Sequence, residues 1–199
     1  VRSGIEQIAA GTTYISNQTW TSDKTYLLLG NVIVDAGVTL TIQPGVVVKE
    51  LTAGSHLHCS GSLVVVGTAG APAILTSWKD DTAGGDTNSD GSQTTTQPGD
   101  WRWIHVHGGE AAFDHVEMRY GGGTSSGSWD YTGMIRTGPG AVVTIANSLL
   151  RDAFFEGILA WAGGDVTVTS SVIAGCDRGV NSDGAAVVRI VNSTFDDNR

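Results

Sequence analysis

The 199-residue chain is long enough for one domain or at most two, and its 28 glycines are about twice the usual share. Only 16% of the residues are charged, and the net charge of −9 disfavours binding to nucleic acid or an anionic membrane, which requires clustered Lys and Arg. The 40% hydrophobic content is sufficient for a buried core, so extended disorder is also excluded.

Short runs of Val, Ile, Leu and Thr recur along the whole chain, separated by Gly, Asn, Asp and Ser. Such runs predict short β-strands bounded by turns, and no long window keeps a helical period. In chain order, the predicted strands are residues 26–30, 38–42, 46–49, 63–66, 104–106, 142–145, 166–169 and 187–191.

Two segments interrupt this pattern. Residues 79–99 are polar and rich in Gly, Asp and Thr, and residues 121–133 are rich in Gly and Ser. Long loops within a domain are often functional. We therefore predict a single domain over 1–199 that carries two inserted loops. No polar capping segment follows the last predicted strand, so we expect the domain to be one part of a larger protein.

An internal repeat occupies the C-terminal third. The segments 143–150, 166–173 and 188–195 have similar sequences, and their polar marks fall at Asn147, Ser170 and Asn192. A period of 22–23 residues with three short strands is typical of one turn of a β-solenoid, in which successive turns must stack to bury their inner faces. Stacking predicts a side-chain ladder of Asp114, Asn147 and Asn192 at one corner.

The segments 38–49, 67–77 and 99–101, together with the C-terminal repeats, closely resemble bacterial right-handed parallel β-helix proteins of the pectate-lyase-like type. The resemblance implies an all-β fold, a right-handed parallel β-helix (solenoid), and a secreted or cell-surface location in a bacterium. With the insertions removed, the remaining length corresponds to roughly seven turns. Function stays open, because this solenoid is used by lyases, hydrolases, adhesins and binding modules.

The solenoid also makes a prediction about the two cysteines. Cys59 and Cys176 fall about four turns apart, far beyond the distance of about 7 Å that a disulfide allows between Cα atoms. We therefore predict two free thiols.

The first inserted loop contains a candidate calcium site. Asp86, Asn88 and Asp90, followed by Gly91, match the first half of an EF-hand loop, although Gln97 stands where the bidentate Glu would be. Nearby acidic residues would complete a structural calcium site with the predicted ligands Asp80, Asp81, Asp86, Asn88, Asp90 and Asp100. The alternative is a solvated polar loop whose Asp side chains cap turns.

A candidate ligand site is aromatic. With Ile104 and Val106 directed inward, strand alternation places Trp103, His105 and His107 on the outer face. Aligning later turns adds Ile135, Thr137, Leu159 and Trp161 to that face and leaves Arg136 inward unless the register slips. Exposed aromatics beside polar groups suit sugar rings, so the predicted ligand-binding residues are Trp103, His105, His107, Trp129, Tyr131, Arg136 and Trp161. The alternative is that these Trp side chains pack the inserted loops onto the solenoid.

Other chemistry has weaker support in the sequence. The pairs His56/His58 and His105/His107 place two imidazoles on one strand face and would bind zinc only with a third ligand such as Asp114 or Glu117. Neither Asp80-Asp81 nor Asp196-Asp197 has an evident third Asp for glycoside hydrolysis. A lyase would need a calcium site beside a base, for which the candidates are Lys79, Arg102 and Arg119.

These patterns favour a non-catalytic carbohydrate-binding module that recognises a plant cell-wall polysaccharide such as xylan or glucan. The first alternative is a structural or adhesin segment of a bacterial surface protein. The second alternative is a calcium-dependent polysaccharide lyase or glycosidase. We expect a monomer whose other partners are domains of the same polypeptide.

Overall fold

The computed structural model describes residues 4–123 and 132–199, in which the chain forms 22 β-strands and no helix. The strands form three sheets with eight, seven and seven members. Within these described residues, no helix exists that is long and apolar enough to cross a membrane.

Each sheet takes one strand from every turn. Sheet A contains β1 Gly4–Ile8, β4 Lys24–Leu28, β7 Val47–Glu50, β10 Ala73–Ser77, β13 Val116–Arg119, β16 Leu149–Arg151, β19 Val172–Ala174 and β22 Thr194–Asp196. Sheet B contains β2 Thr12–Tyr14, β5 Asn31–Val34, β8 His56–Cys59, β11 Trp103–Val106, β14 Gly133–Thr137, β17 Glu156–Ala160 and β20 Arg178–Ser182. Sheet C contains β3 Gln18–Trp20, β6 Thr39–Ile42, β9 Ser62–Val66, β12 Glu110–Asp114, β15 Val142–Ala146, β18 Asp165–Thr169 and β21 Val187–Val191.

Every strand pairs in parallel with the strand three places away in the chain. In sheet B, for example, β11 pairs with β8 on one side and β14 on the other. The chain therefore winds through seven full turns before β22, which confirms the predicted right-handed parallel β-helix.

The core is a set of apolar columns inside the solenoid. One column in sheet B stacks five residues from successive turns, each at most 1% exposed: Val32, Leu57, Ile104, Ile135 and Ile158. Cys59 and Cys176 are buried and free, as predicted. Burial raises the pKa of both thiols to about 11.

One corner, between sheets C and A, repeats in the later turns. His115, Asn147, Ser170 and Asn192 occupy equivalent positions, and each has a φ between 48° and 52°. The predicted ladder is partly wrong, because Asp114 lies one position earlier, at the end of β12. Its Oδ1 accepts a hydrogen bond of 2.9 Å from Asn147 Nδ2, so the expected contact between the two turns does form.

A row of serines continues the ladder at the next position. Ser148 Oγ accepts from the Val116 N–H, Ser171 Oγ from the Ser148 N–H, and Ser193 Oγ from the Ser171 N–H, at 3.0, 3.1 and 3.2 Å. Backbone N–H groups that the corner removes from the sheets are thereby satisfied.

The first inserted loop, residues 78–102 between β10 and β11, packs on the outer face of sheet A. Lys49 projects from β7 and is fully buried beneath the loop. Its Nζ donates to the carbonyl oxygens of Asp80 and Gly85, both at 2.8 Å, and to Thr87 Oγ1 at 2.9 Å. The second insertion, residues 120–132, connects β13 to β14, so Gly133 begins a strand rather than ending the loop.

Candidate functional site

The outer face of sheet A is closed by ion pairs. We call it the covered face and define it by Lys49, Thr76, Glu117, Arg119 and Arg151. Arg119 Nε lies 2.7 Å from Asp80 Oδ2 of the loop, and Arg119 Nη1 lies 2.7 Å from Glu117 Oε1. Burial alone raises the pKa of Asp80, but hydrogen bonds from Thr76 and Thr82 and the Arg119 charge bring it below its usual value.

The structure divides the predicted calcium ligands into two groups. Asp80 is held by Arg119, and Asp100 Oδ1 lies 2.6 Å from Lys79 Nζ, so neither of these two predicted ligands joins the cluster that the other three aspartates form. Their charges are already compensated, which leaves them unsuited to a cation. Asp81, Asp86 and Asp90 do converge, with one oxygen of each within 4.8 Å of the others.

The loop around these three carboxylates partly satisfies them. Asp90 accepts hydrogen bonds from Thr94 Oγ1 and from the N–H groups of Ser92, Gln93 and Thr94, which lower its pKa. Asn88 Nδ2 donates to Asp90 at 2.8 Å. Asn88 Oδ1 is inaccessible and, among the described residues, has no hydrogen-bond partner. Both interpretations of these aspartates, as caps of turns and as ligands of calcium, are compatible with this geometry.

The outer face of sheet B differs in character. We call it the open face and define it by seven residues: His58, Trp103, His105, His107, Arg136, Leu159 and Trp161. The strand register places His58, His105, Arg136 and Leu159 side by side on successive turns.

This register corrects the predicted alignment by one residue. Ile135 pairs with Ile104 and lies in the core, so Arg136 is directed outward and needs no slip. Thr137 is also fully buried, with its Oγ1 accepting from the Trp161 N–H at 2.8 Å. The expectation that Ile135 and Thr137 are outward was wrong, because they pair with Ile104 and Val106 of β11, which both lie in the core.

The two tryptophans of the open face differ in accessibility. Trp103 is only 5% exposed, with the Arg102 guanidinium 3.7 Å and that of Arg136 5.0 Å from its ring centroid. Trp161 is 39% exposed, and Arg136 lies 4.8 Å from its ring. Arg136 therefore contacts both indoles, but Trp161 alone offers a ring surface to a ligand.

Three histidines cluster beside these side chains. The ring centroids of His58 and His105 are 5.0 Å apart, those of His105 and His107 5.6 Å, and those of His58 and His107 6.2 Å. Burial lowers the pKa of His105 to about 3, with the Arg136 charge as the second cause, and burial also lowers the pKa of His58. His58 was not among the predicted ligand residues; its signal was the repeated His-x-His pattern, obscured by the inserted loop between the two copies.

Trp129 and Tyr131, which were predicted to fold over this face, lie outside the described residues. The predicted bases of a lyase are all engaged. Lys79 pairs with Asp100, Arg119 pairs with Asp80 and Glu117, and Arg102 stacks on Trp103.

A cleft of about 480 Å³ lies at the corner between sheets A and B, beside the first inserted loop and next to Arg151, which pairs with Asp152 of the cleft. Three aspartates and an aromatic ring line it: Asp152, Asp177, Asp197 and Phe154. The sequence analysis found no third Asp near Asp196-Asp197. The signal that it missed is the solenoid period, which brings residues some 20 positions apart to one corner.

Comparison with known proteins gives one family. The model of a pectate-lyase-like β-helix domain matches residues 11–138. Comparisons with curated protein sequences and with solved structures give no match.

Proposed function

Because this chain belongs to the family of pectate-lyase-like β-helix domains, we propose that it is a non-catalytic module that binds a polysaccharide through its open face. The observation that supports this most is the exposed Trp161 ring, held beside the Arg136 guanidinium and next to a histidine cluster. Thr137 holds the backbone at Trp161, since its hydroxyl accepts a hydrogen bond from the Trp161 N–H and donates one to the Trp161 carbonyl.

The chemistry of this surface suits a sugar chain. The C–H face of a pyranose packs on an indole ring, while its hydroxyls accept from guanidinium N–H groups and bond to imidazole nitrogens. The exposed His107 ring can bond a sugar hydroxyl, whereas His105 Nε2 is inaccessible and burial lowers the pKa of His105 to about 3, so that it stays uncharged at neutral pH. The face spans successive turns about 4.8 Å apart and so favours an extended polymer over a single sugar.

The charge of the chain favours a neutral polymer. A net charge of −9 would repel a strongly acidic polysaccharide, so the proposed ligand is a neutral or lightly substituted plant cell-wall polymer such as xylan or glucan. In this proposal the chain is a monomeric module of a secreted or cell-surface bacterial protein, and other domains of that polypeptide do the chemistry.

Affinity electrophoresis against a panel of plant polysaccharides tests this proposal. We expect retardation by at least one polymer without release of reducing ends, and loss of retardation in Trp161→Ala. Phe154→Ala, which removes an aromatic ring exposed at 50% in the cleft, is the matched control and should leave retardation unchanged. Equal retardation of Trp161→Ala and the parent would overturn the choice of face. No retardation by any polymer would favour the structural or adhesin alternative.

The cleft supports a glycosidase as a second candidate. Paired carboxylates are the groups that glycoside hydrolysis requires, and Asp152, Asp177 and Asp197 all line this cleft beside the exposed Phe154 ring. Release of reducing ends that is lost in Asp177→Asn and Asp197→Asn, but not in Trp161→Ala, would establish this activity. Release of unsaturated products would instead indicate a lyase.

A further inference from the structure

We propose that His58, His105 and His107 form a binding site for a transition-metal ion, with Zn²⁺ or Cu²⁺ as the fitting metals. The site lies on the open face but does not depend on polysaccharide binding. It differs from the zinc arrangement considered from the sequence, because Glu117 is bound to Arg119 and Arg151 on the covered face and Asp114 lies at another corner.

The centroids of the three rings lie near the spacing of a metal site. A zinc ion about 2.0–2.1 Å from one nitrogen of each of three imidazoles, at tetrahedral angles, places the ring centroids about 5 Å apart. The observed separations are 5.0, 5.6 and 6.2 Å, but no choice of one nitrogen from each ring brings all three within 4.8 Å of one another. Metal binding therefore requires the exposed His107 ring and the half-buried His58 ring to rotate.

Gly138 allows two of the rings to approach the backbone. A Cβ atom placed on Gly138 would lie 2.5 Å from His107 Nδ1 and 3.3 Å from His105 Nε2, so a side chain at this position would displace the His107 ring. His105 Nε2 is inaccessible and, among the described residues, has no hydrogen-bond partner. An imidazole nitrogen of this kind offers a lone pair that the rest of the chain does not use.

A second layer orients the ligands. His58 Nε2 lies 3.3 Å from Ser60 Oγ, so a proton on Nε2 donated to this hydroxyl would leave His58 Nδ1 as the metal ligand. The guanidinium of Arg136, next to His105 in the register, disfavours a bare cation and favours an anion as the fourth ligand. Three neutral nitrogens with one anion are a ligand set that suits Zn²⁺ and Cu²⁺ better than Ca²⁺ or Mg²⁺.

Calorimetric titration of the full chain with Zn²⁺, in buffer stripped of metals, tests the site. We expect one zinc ion to bind per chain and millimolar Ca²⁺ not to compete. His107→Ala should weaken the affinity at least about tenfold, and His58→Ala and His105→Ala should do the same. His107 is exposed, so its variant is the one expected to fold like the parent. Gly138→Ala should also weaken binding, because its methyl group would lie 2.5 Å from His107 Nδ1 and displace that ring.

The matched controls are His56→Ala and His115→Ala, which remove histidines outside the triad, and Asp86→Asn, which alters the acidic loop. All three should bind zinc like the parent. With Cu²⁺, electron paramagnetic resonance should show nitrogen couplings that His107→Ala changes. No zinc binding, or zinc binding that survives His107→Ala and His105→Ala but is lost in Asp86→Asn, would overturn the proposal.

Discussion

The covered face and the open face are both formed by the outward-directed side chains of parallel strands, but they differ in burial and in the partners of their basic residues. Both are outer faces of parallel sheets, and both carry basic side chains at alternating positions. On the covered face, Arg119 and Lys49 are buried under the first inserted loop, where carboxylates or carbonyl oxygens bind them. On the open face, Arg136 lies between indole rings, and Trp161 remains 39% exposed.

This difference teaches that alternation assigns a side chain to a face but not to a role. A polar group that a loop covers must be paired to offset its desolvation and so becomes structural. On the open face, Trp161 keeps contact with water and can bind a ligand, although Trp103 and Leu159 of the same face are only 5% and 1% exposed. Substitutions on the two faces should therefore affect different properties: stability on the covered face, and binding on the open face.

The largest effect is expected for Arg119→Met. This change leaves the Asp80 carboxylate, 3% exposed, without its compensating charge, and should lower the free energy of unfolding by about 3–5 kcal/mol. Urea denaturation followed by fluorescence measures it. The double variant Arg119→Met/Asp80→Asn should recover part of the loss, since no buried carboxylate remains.

Arg189→Met is the control for the same change on sheet C. Its ion pair with Asp165 has side chains that are 58% and 43% exposed, so the expected loss is at most about 1 kcal/mol. Equal losses for Arg119→Met and Arg189→Met would show that the loop does not protect the covered face from solvent.

Calcium provides the next test, since the loop that closes the covered face carries Asp81, Asp86 and Asp90. If these carboxylates bind Ca²⁺, calcium at about 100 times its dissociation constant should stabilise the fold by about 2.7 kcal/mol. The melting temperature with calcium and with chelator measures this. Asp86→Asn should abolish the shift, and Asp100→Asn, outside the cluster, should retain it. A melting temperature that is the same in both buffers would exclude a structural calcium ion.

The solenoid could be predicted from the sequence because residues that stack in successive turns are similar and recur at a regular spacing. The marks at Asn147, Ser170 and Asn192 occupy one corner with one backbone conformation, so the repeat could be read directly. The first inserted loop was recognisable by its composition. The surface on which it packs was not, because nothing in the local sequence shows that Lys49, some 30 residues earlier, binds the Asp80 carbonyl.

The open face was predicted in part for the same reason. Trp103, His105 and Trp161 were correctly assigned outward by alternation, whereas Arg136 was misplaced by one residue where the second insertion ends. Alternation could not show that Trp103 is only 5% exposed, with the guanidinium of Arg102 stacked on its ring. The cluster with His58 forms because β8 and β11 are neighbours in sheet B. The first inserted loop separates these two strands in the sequence, so their pairing was not evident.

As the pH is lowered, we expect the two faces to lose their contributions to stability over different pH ranges. The pKa of His105 is about 3 when folded and near 6.5 when unfolded, so between these values only the unfolded chain takes up the proton. The contribution of His105 to the free energy of unfolding is therefore complete above pH 6.5 and decreases as the pH drops towards 3. Asp80, with a lowered pKa, contributes stability that is lost only as the pH falls below about 4.

Urea midpoints between pH 8 and pH 4.5, measured with chelator, test this order. His105→Gln should flatten the slope below pH 6.5. His58, which lies next to His105 and whose pKa is also lowered by burial, should leave a smaller slope of its own. An unchanged slope in His105→Gln would show that this imidazole is protonated in the folded protein.

The smallest effect on stability is expected for Trp161→Ala, the variant with the largest expected effect on polysaccharide binding. Its ring is 39% exposed and contacts the Arg136 guanidinium, so the loss should be about 0.5–1 kcal/mol, the size of one exposed cation–π contact. Trp101→Ala is the same substitution at a fully buried ring whose Nε1 donates to the Arg119 carbonyl at 2.8 Å. That variant should lose about 3–5 kcal/mol in the same urea experiment. If Trp161→Ala proved as destabilising as Trp101→Ala, Trp161 would be a structural residue, and the open face would be a second covered face.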